Sequence, residues 1–274
     1  MRISENPIGI FDSGIGGLTV ANAILKLLPR ENLVYFGDTT HLPYGDKSPE
    51  TIIAYSSKIT EFLIQKKVKL IVIACNSASS TAYDAVRKIA DQAGIDVVNV
   101  IDPVVQAVVH KKFHKVGIIG TRATIGSQVF PKKIHLEQPS INVVSLATPL
   151  LAPMIESGFI KGEISKVVVE KYLSNDSLSQ IEALILACTH YPLIKNDITR
   201  YYQEINSQVD ILATNEIVAT YVQQVLMDSG LVNTSLQTPH HQFFVSDYTK
   251  SFEETTRLFY KEEVELICKN IFKK

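Results

Sequence analysis

The sequence is poor in cysteine and has no cysteine pair of the kind that holds a metal. Its three cysteines, Cys75, Cys188 and Cys268, are too few for a disulfide scaffold, and none belongs to a CxxC motif. A chain with so few thiols suits a reducing compartment. We therefore expect a cytoplasmic protein without structural disulfides or zinc.

Long apolar runs and an excess of either charge are also missing. No apolar run approaches the roughly 20 residues that span a bilayer, and residues 1–7 lack the apolar segment of a signal peptide. Lys and Arg total 27 against 28 Asp and Glu, a formal net charge of −1. Since no basic excess directs the chain to nucleic acid, we expect neither a membrane nor a nucleic-acid partner.

What the sequence does contain is a pair of apolar stretches that each end in cysteine. Residues 70–77 read LIVIACNS, and residues 183–190 read ALILACTH. Short apolar runs with polar ends predict buried strands of a parallel sheet. Each cysteine would then lie at the carboxyl end of a strand, just before a helix. Ligands of open α/β sheets bind at that end, where helix N-termini favour a thiolate.

Apolar runs alternate with amphipathic stretches along the rest of the chain, which predicts α/β layers with largely parallel sheets. We expect strands at residues 8–11, 33–36, 70–74, 97–100, 116–119, 143–146, 183–187, 209–212 and 241–245. We expect helices up to about residues 28 and 93, one after Cys188, and others near 49–66, 150–157, 163–173, 216–227 and 252–260.

Two offsets indicate a diverged internal duplication. The run that includes Gly9 returns around Gly117, an offset of 117 − 9 = 108, and the matched cysteines are 188 − 75 = 113 residues apart. The pattern restarts after residues 102–103 (Asp-Pro). We therefore predict two pseudo-symmetric α/β domains with the active site in the cleft between them. The first would comprise residues 1–101 and 213–274, and the second residues 102–212.

The matched cysteines are the leading candidates for chemistry. Free cysteine is among the most buried residue types, so a single one at a strand end would be assigned to the core. Two in matched Ala-Cys-Asn and Ala-Cys-Thr contexts favour a functional pair. Cys268 has no motif around it, and we take it as structural.

The glycine-rich loop at residues 12–17 (DSGIGG) matches neither of the common phosphate-binding motifs. GxGxxG would need glycine at position 19, which is Thr, and a P-loop would need a lysine. The loop is either a tight strand-to-helix turn or a cradle of backbone N–H groups beside Asp12. An acidic side chain there suits an ammonium group or a proton transfer better than a phosphate.

The histidines allow more than one interpretation. His190 alone would be assigned as a helix cap, but two residues after Cys188 it is a candidate proton carrier. His110 and His114 have a spacing that could hold a metal on one helix face. Because three lysines surround them, a solvated basic face is favoured and no metal site is predicted.

Together these motifs resemble those of the glutamate racemases within the aspartate/glutamate racemase superfamily. The matching segments follow the family order across nearly the whole chain, at residues 12–20 (DSGIGGLTV), 43–45 (PYG), 74–78 (ACNSA), 120–121 (GT) and 188–193 (CTHYPL). The last segment is highly specific, whereas the glycine loop alone is not. The family usually has Thr where Ser77 stands and Cys where Thr148 stands, and a family glutamate is retained as Glu156.

The resemblance implies racemisation of L-glutamate to D-glutamate for peptidoglycan synthesis, without pyridoxal phosphate or a metal. A proton must leave one face of the α-carbon and return to the other, which requires two acid/base groups. By resemblance these are Cys75 and Cys188, assisted by Asp12 and His190. The implied substrate-binding residues are Asp12, Ser13, Pro43, Tyr44, Gly45, Asn76, Ser77, Thr121, Thr189 and His190. Glutamate is the implied small-molecule partner, and a homodimer is left open as the assembly.

Two alternatives stay open at this point. A related racemase or decarboxylase with another substrate, such as aspartate, would share the two-cysteine logic, although the His-Tyr-Pro-Leu continuation after Thr189 favours glutamate. An amino-acid binding module of the periplasmic type would also have two α/β lobes. The paired thiols and the absence of a signal peptide disfavour that module.

Overall fold

The computed structural model describes residues 3–260 and 264–272, so residues 1–2, 261–263 and 273–274 of the predicted first domain lie outside the described residues. The strands within this part of the chain are β1 (Ile8–Asp12), β2 (Leu33–Gly37), β3 (Leu70–Ile73), β4 (Asp96–Asn99), β5 (Lys115–Gly120), β6 (Asn142–Ala147), β7 (Ala183–Ala187), β8 (Asp210–Ala213), β9 (His241–Val245) and β10 (Leu266–Cys268).

Helices connect these strands and cover the sheets. They are α1 (Leu18–Leu27), α2 (Pro49–Gln65), α3 (Asn76–Gln92), α4 (Asp102–Lys111), α5 (Arg122–Gly126), α6 (Val129–Glu137), α7 (Leu151–Glu156), α8 (Glu163–Leu173), α9 (Lys195–Glu204), α10 (Thr214–Asp228) and α11 (Lys250–Tyr260). Short 3₁₀-helices lie at Ile3–Glu5, Tyr44–Asp46, Asp176–Leu178 and Tyr191–Ile194.

The strands form two parallel sheets whose orders repeat. The first sheet has the order β10-β9-β2-β1-β3-β4, and the second has the order β6-β5-β7-β8. Gly9 pairs with Ile71 in the first sheet, and Gly117 pairs with Leu184 in the second, so the registers repeat at offsets of 108 and 113. The expected α/β class with parallel sheets is confirmed, and the predicted return of the C-terminal part appears as β9 and β10 at the edge of the first sheet.

The central strands are apolar throughout because other elements cover both of their faces. Every residue of β1, β3 and β7 is buried. One hydrophobic core combines side chains from both sheets, among them Ile10 and Val72 from the first and Leu184 and Leu186 from the second. The two sheets therefore share one packed interior, and the carboxyl ends of their central strands supply one cavity.

Several short elements were missed in the sequence. Asp102 and Pro103, expected as a boundary, are the first residues of α4, where proline suits the first helical turn. Helices α5 and α6 and strand β10 were not predicted because segments of 3 to 9 residues carry little periodicity. Helix α4 ends at Lys111, so His110 and His114 do not share a helix face, and both are exposed.

Among the helices of the described residues, none combines the length and the hydropathy that crossing a bilayer requires.

Candidate active site

A single cavity where strands of both sheets end brings together nearly all of the predicted site residues. It is a small cavity, with a volume of about 60 Å³. The predicted residues that line it are Ser13, Pro43, Tyr44, Gly45, Cys75, Asn76, Ser77, Thr121, Cys188, Thr189 and His190. Asp12 is the exception, because it is fully buried behind this lining.

Cys75 caps the first helix after β3 and is only 5% exposed. Its sulfur accepts a hydrogen bond from the Ala78 amide at 3.4 Å, and its thiol lies 3.5 Å from Oγ of Ser13. Burial and then the negative charge of Asp12 raise the pKa of Cys75 to about 12. Near neutral pH this sulfur is therefore a thiol that can donate a proton.

Asp12 ends β1 beside this thiol. Its Oδ2 accepts the Gly14 amide at 3.1 Å, and Oδ1 has no hydrogen-bond partner among the residues that the structure describes. Burial raises the pKa of Asp12, while the charge of His190 acts in the opposite direction. A buried carboxyl group with a raised pKa and one spare oxygen is suited to holding a proton or an ammonium group.

Cys188 is the first member of a chain of three polar groups. Its sulfur lies 3.6 Å from Nδ1 of His190, and Nε2 of His190 lies 2.8 Å from Oε1 of Glu156. Burial by itself would lower the pKa of His190, but the adjacent Cys188 and Glu156 raise it well above its ordinary value. The ring is thus an imidazolium near neutral pH, and it lies beside the Cys188 sulfur.

The side chain of His190 does not cap a helix. It precedes the 3₁₀-helix Tyr191–Ile194, but its side chain makes no capping hydrogen bond there. The ring instead bridges the Cys188 sulfur and the Glu156 carboxylate, an arrangement that suits the predicted proton carrier. The two thiols consequently differ in their surroundings: Cys75 faces a carboxyl group, and Cys188 faces an imidazolium.

The glycine loop brings the two halves of this site together. A Cβ atom on Gly16 would lie 2.6 Å from Nδ1 of His190 and 2.6 Å from Oγ1 of Thr189, and one on Gly17 would lie 2.5 Å from Cβ of Asp12. The hydroxyl of Thr19 donates to the Thr189 carbonyl at 2.9 Å. The loop has no side chain at these positions because it passes between the end of β1 and the residues that follow β7.

The cavity lining also contains polar side chains that could bind a ligand. Asn76 is 2% exposed, and neither its Oδ1 nor its Nδ2 has a hydrogen-bond partner within the described part of the chain. A buried amide of this kind is costly unless it meets a ligand. The hydroxyls of Ser77 and Thr121, which lie 2.9 Å apart, link the first half of the chain to the second at this wall.

Some lining residues were not among those predicted from the sequence. These are Gly14, Leu42, Ala152, Pro153 and Glu156. Glu156 could have been found, because the glutamate retained at that position was already noted. Leu42, Ala152 and Pro153 form an apolar wall and carry no chemical signal that would have marked them.

Other candidate groups lie outside this site. Cys268 is exposed on β10 and does not line the cavity. Within residues 3–260 and 264–272, no cluster of three or more His, Cys, Asp and Glu side chains is placed to hold a metal ion.

Comparison with known proteins places this geometry among racemases. The profile of the family described as Asp/Glu/Hydantoin racemase matches residues 15–222. The glutamate racemase of Chlorobaculum tepidum is 40% identical over 262 residues, which is 95% of this chain and 94% of that protein. The glutamate racemase of Geobacter metallireducens is 40% identical over 246 residues, or 89% of each chain.

A solved structure is similar in fold as well as in sequence. The structure of glutamate racemase from Francisella tularensis in complex with D-glutamate superposes with a TM-score of 0.91 and is 37% identical. The match covers 98% of this chain and 99% of that one.

Proposed function

Because the chain belongs to the Asp/Glu/hydantoin racemase family, we propose that it interconverts L-glutamate and D-glutamate with Cys75 and Cys188 as its two acid/base groups. The family resemblance drawn from the sequence motifs is thereby confirmed. The observation that carries the proposal is that two buried thiols, one after β3 and one after β7, line the same small cavity. A reaction that inverts one carbon needs two such groups on one substrate.

The proposed reaction transfers one proton to the enzyme and one from it. A thiolate takes the α-proton from one face of glutamate and becomes a thiol, leaving a carbanion. The thiol on the other side gives its proton to the opposite face and becomes a thiolate. In the ligand-free enzyme the raised pKa of Cys75 makes it the thiol, and the role of first base is assigned to Cys188, whose sulfur lies 3.6 Å from Nδ1 of His190. One turnover exchanges these states.

Polar groups around the thiols support binding of an amino acid. Asn76, Ser77, Thr121 and Thr189 offer amide and hydroxyl groups that could bind the two carboxylates. Glu156, which lines the cavity, and Asp12, just behind the lining, offer carboxyl oxygens that could bind the ammonium group. Fixed donors in a cavity that excludes water lower the cost of the carbanion, because its charge develops next to them.

Since two thiols, a carboxyl group and an imidazolium provide the required proton transfers, we propose that the reaction needs neither pyridoxal phosphate nor a metal. We further propose that the product D-glutamate supplies peptidoglycan synthesis in the cytoplasm, and so supports cell-wall biogenesis and cell shape. The assembly stays open, with a homodimer as one candidate that light scattering would test.

Polarimetry on the purified protein, dialysed against a chelator, tests this proposal. L-glutamate and D-glutamate should each lose optical rotation, whereas L-aspartate should react poorly. Cys75→Ala and Cys188→Ala should each reduce racemisation by orders of magnitude in both directions, and Cys268→Ala should leave turnover largely intact. Faster turnover of aspartate would favour the related racemase, and binding without turnover would favour the binding module.

A further inference from the structure

Asp38 is a buried carboxylate that the proposed proton transfers do not use. It lies just after β2 and is 0% exposed. It accepts hydrogen bonds from the Tyr44 hydroxyl at 2.7 Å and the Ser246 hydroxyl at 2.8 Å, and Nδ1 of His41 lies 2.9 Å from its Oδ1. Of these three partners, Tyr44 lines the cavity.

The bond to Asp38 determines what Tyr44 can offer a substrate. A phenol has one hydrogen to donate, and here it is donated to Asp38. Burial and then the negative charge of Asp38 raise the pKa of Tyr44 far above its ordinary value, so the phenol stays protonated. Tyr44 therefore lines the cavity through its ring and backbone. Its hydroxyl holds the Tyr44 wall, the lining segment of residues 43–45, by its hydrogen bond to Asp38.

The carboxylate of Asp38 is itself tied to distant parts of the chain. The Ser246 hydroxyl, just beyond β9, also accepts the Thr40 amide at 2.9 Å. The His41 ring stacks on Tyr55 of α2 at 3.9 Å between ring centroids, and Phe272 contacts it edge-on at 4.6 Å. The segment from residue 38 to residue 45 is thus held by α2, by the end of β9 and by the C-terminal part of the chain.

We propose that Asp38 is a positioning residue for the reaction, which holds Tyr44 and the adjoining Pro43 and Gly45 wall against the substrate. This proposal rests on the proposed function. The proton transfers belong to the thiols, whereas Pro43, Tyr44 and Gly45 line the cavity, so displacing these three residues should weaken substrate binding more than it slows proton transfer. Gly45 leaves this wall little room to move, since a Cβ atom there would lie only 2.8 Å from Cβ of Thr121.

The test compares Asp38→Ala with the isosteric Asp38→Asn. Loss of the anchor in Asp38→Ala should lower kcat/KM for glutamate by about 100-fold, the size of effect that a displacement of about 1 Å can have. Most of the loss should appear in KM. Asp38→Asn retains an oxygen that can accept from Tyr44, so it should recover most of the loss. In a double-mutant cycle, Tyr44→Phe and Asp38→Ala should be clearly non-additive, because one hydrogen bond joins them.

Glu31→Gln is the matched control for stability. Glu31 is equally buried, at 1% exposed, and pairs with Lys69 away from the cavity lining. At a temperature where both variants are folded, Glu31→Gln should keep KM close to that of wild type. Equal KM effects in Glu31→Gln and Asp38→Ala would overturn the proposal, as would a wild-type KM in Asp38→Ala.

A second readout separates this proposal from the proposed function. Cys75 and Cys188 are 5% and 6% exposed, so alkylation by iodoacetamide should be slow in wild type. Asp38→Ala should accelerate labelling of Cys75, as followed by mass spectrometry, while Glu31→Gln should not. Faster labelling in a protein that does not racemise glutamate would support the positioning role of Asp38 and refute the proposed racemase function. Unchanged labelling in an enzyme that racemises glutamate would refute the positioning role of Asp38 and leave the proposed function intact.

Discussion

At the scale of single residues, Gly16 marks the closest approach between the glycine loop and the polar pair of Thr189 and His190. A methyl group there would sit 2.6 Å from Nδ1 of His190, well inside van der Waals contact. Gly16→Ala should therefore displace the ring from Cys188 and lower kcat/KM by about 100-fold. Steady-state kinetics in both directions measures this loss.

Gly126→Ala provides the matched control for that substitution. Gly126 ends α5, and a Cβ atom there would meet nothing within 4 Å. Alanine at such a position should leave turnover unchanged and stabilise the fold by about 0.5–1 kcal/mol. Equal activity in Gly16→Ala and Gly126→Ala would show that the loop does not position His190.

The raised pKa of His190 makes a prediction about stability and pH. In the folded protein the ring keeps its proton above the pH at which it loses it in the unfolded chain, about 6.5. The stabilisation is therefore complete below about pH 6.5 and declines as pH rises through the folded pKa. Urea unfolding should show a larger free energy of unfolding for wild type than for His190→Gln at low pH. This difference in the free energy of unfolding should shrink as the pH rises. A difference that grows between pH 6 and pH 9 would contradict the imidazolium assignment.

At the scale of elements, Lys69 holds together segments that lie before the strands of the first sheet. Its ammonium donates to Oε2 of Glu31 at 2.5 Å and to the carbonyls of Ser4 and Leu231 at 2.6 and 2.8 Å, which uses all three of its hydrogens. The other carboxylate oxygen of Glu31 accepts the Asn233 amide at 2.8 Å. This pair joins the N-terminal segment, the start of β3 and the connection between α10 and β9.

Removing Lys69 should destabilise the fold strongly because it leaves a buried carboxylate uncompensated. Lys69→Met should lower the free energy of unfolding by about 3–5 kcal/mol, measured by chemical denaturation. Lys111→Met removes an exposed pair with Asp210, whose side chains are 51% and 55% exposed, and should change stability by less than about 1 kcal/mol. Similar effects in both variants would contradict the role assigned to the buried pair.

The elements that could be predicted from the sequence are those with a strong periodic or apolar signal. The strand ends at Cys75 and Cys188 could be predicted because a fully buried strand is apolar along its length. The sequence becomes polar where such a strand ends at a ligand-binding site. Helix α6 begins after Gln128 in a left-handed backbone conformation, with φ of 56°. That conformation is uncommon for glutamine and leaves no signal in the sequence.

At the scale of the whole molecule, the repeat of β2-β1-β3-β4 as β6-β5-β7-β8 places one of the two matched cysteines after a central strand of each sheet, Cys75 after β3 and Cys188 after β7. The offsets in the sequence indicated this repeat. They could not show that Glu156 contacts His190 or that Asp38 anchors Tyr44, since these pairs depend on how loops fold over the strand ends. The motifs therefore identified most of the candidate site, while the groups that orient it required the structure.

The central claim is that two thiols act on opposite faces of one substrate, and solvent deuterium tests it most directly. In heavy water, wild-type enzyme given one enantiomer of glutamate should form the opposite enantiomer with deuterium at the α-carbon. Each face has its own acid/base group, so the unreacted substrate should contain little deuterium at early times. Mass spectrometry after separation of the enantiomers measures both. Early deuterium in the recovered substrate at the level found in the product would contradict the two-thiol account and indicate a single base.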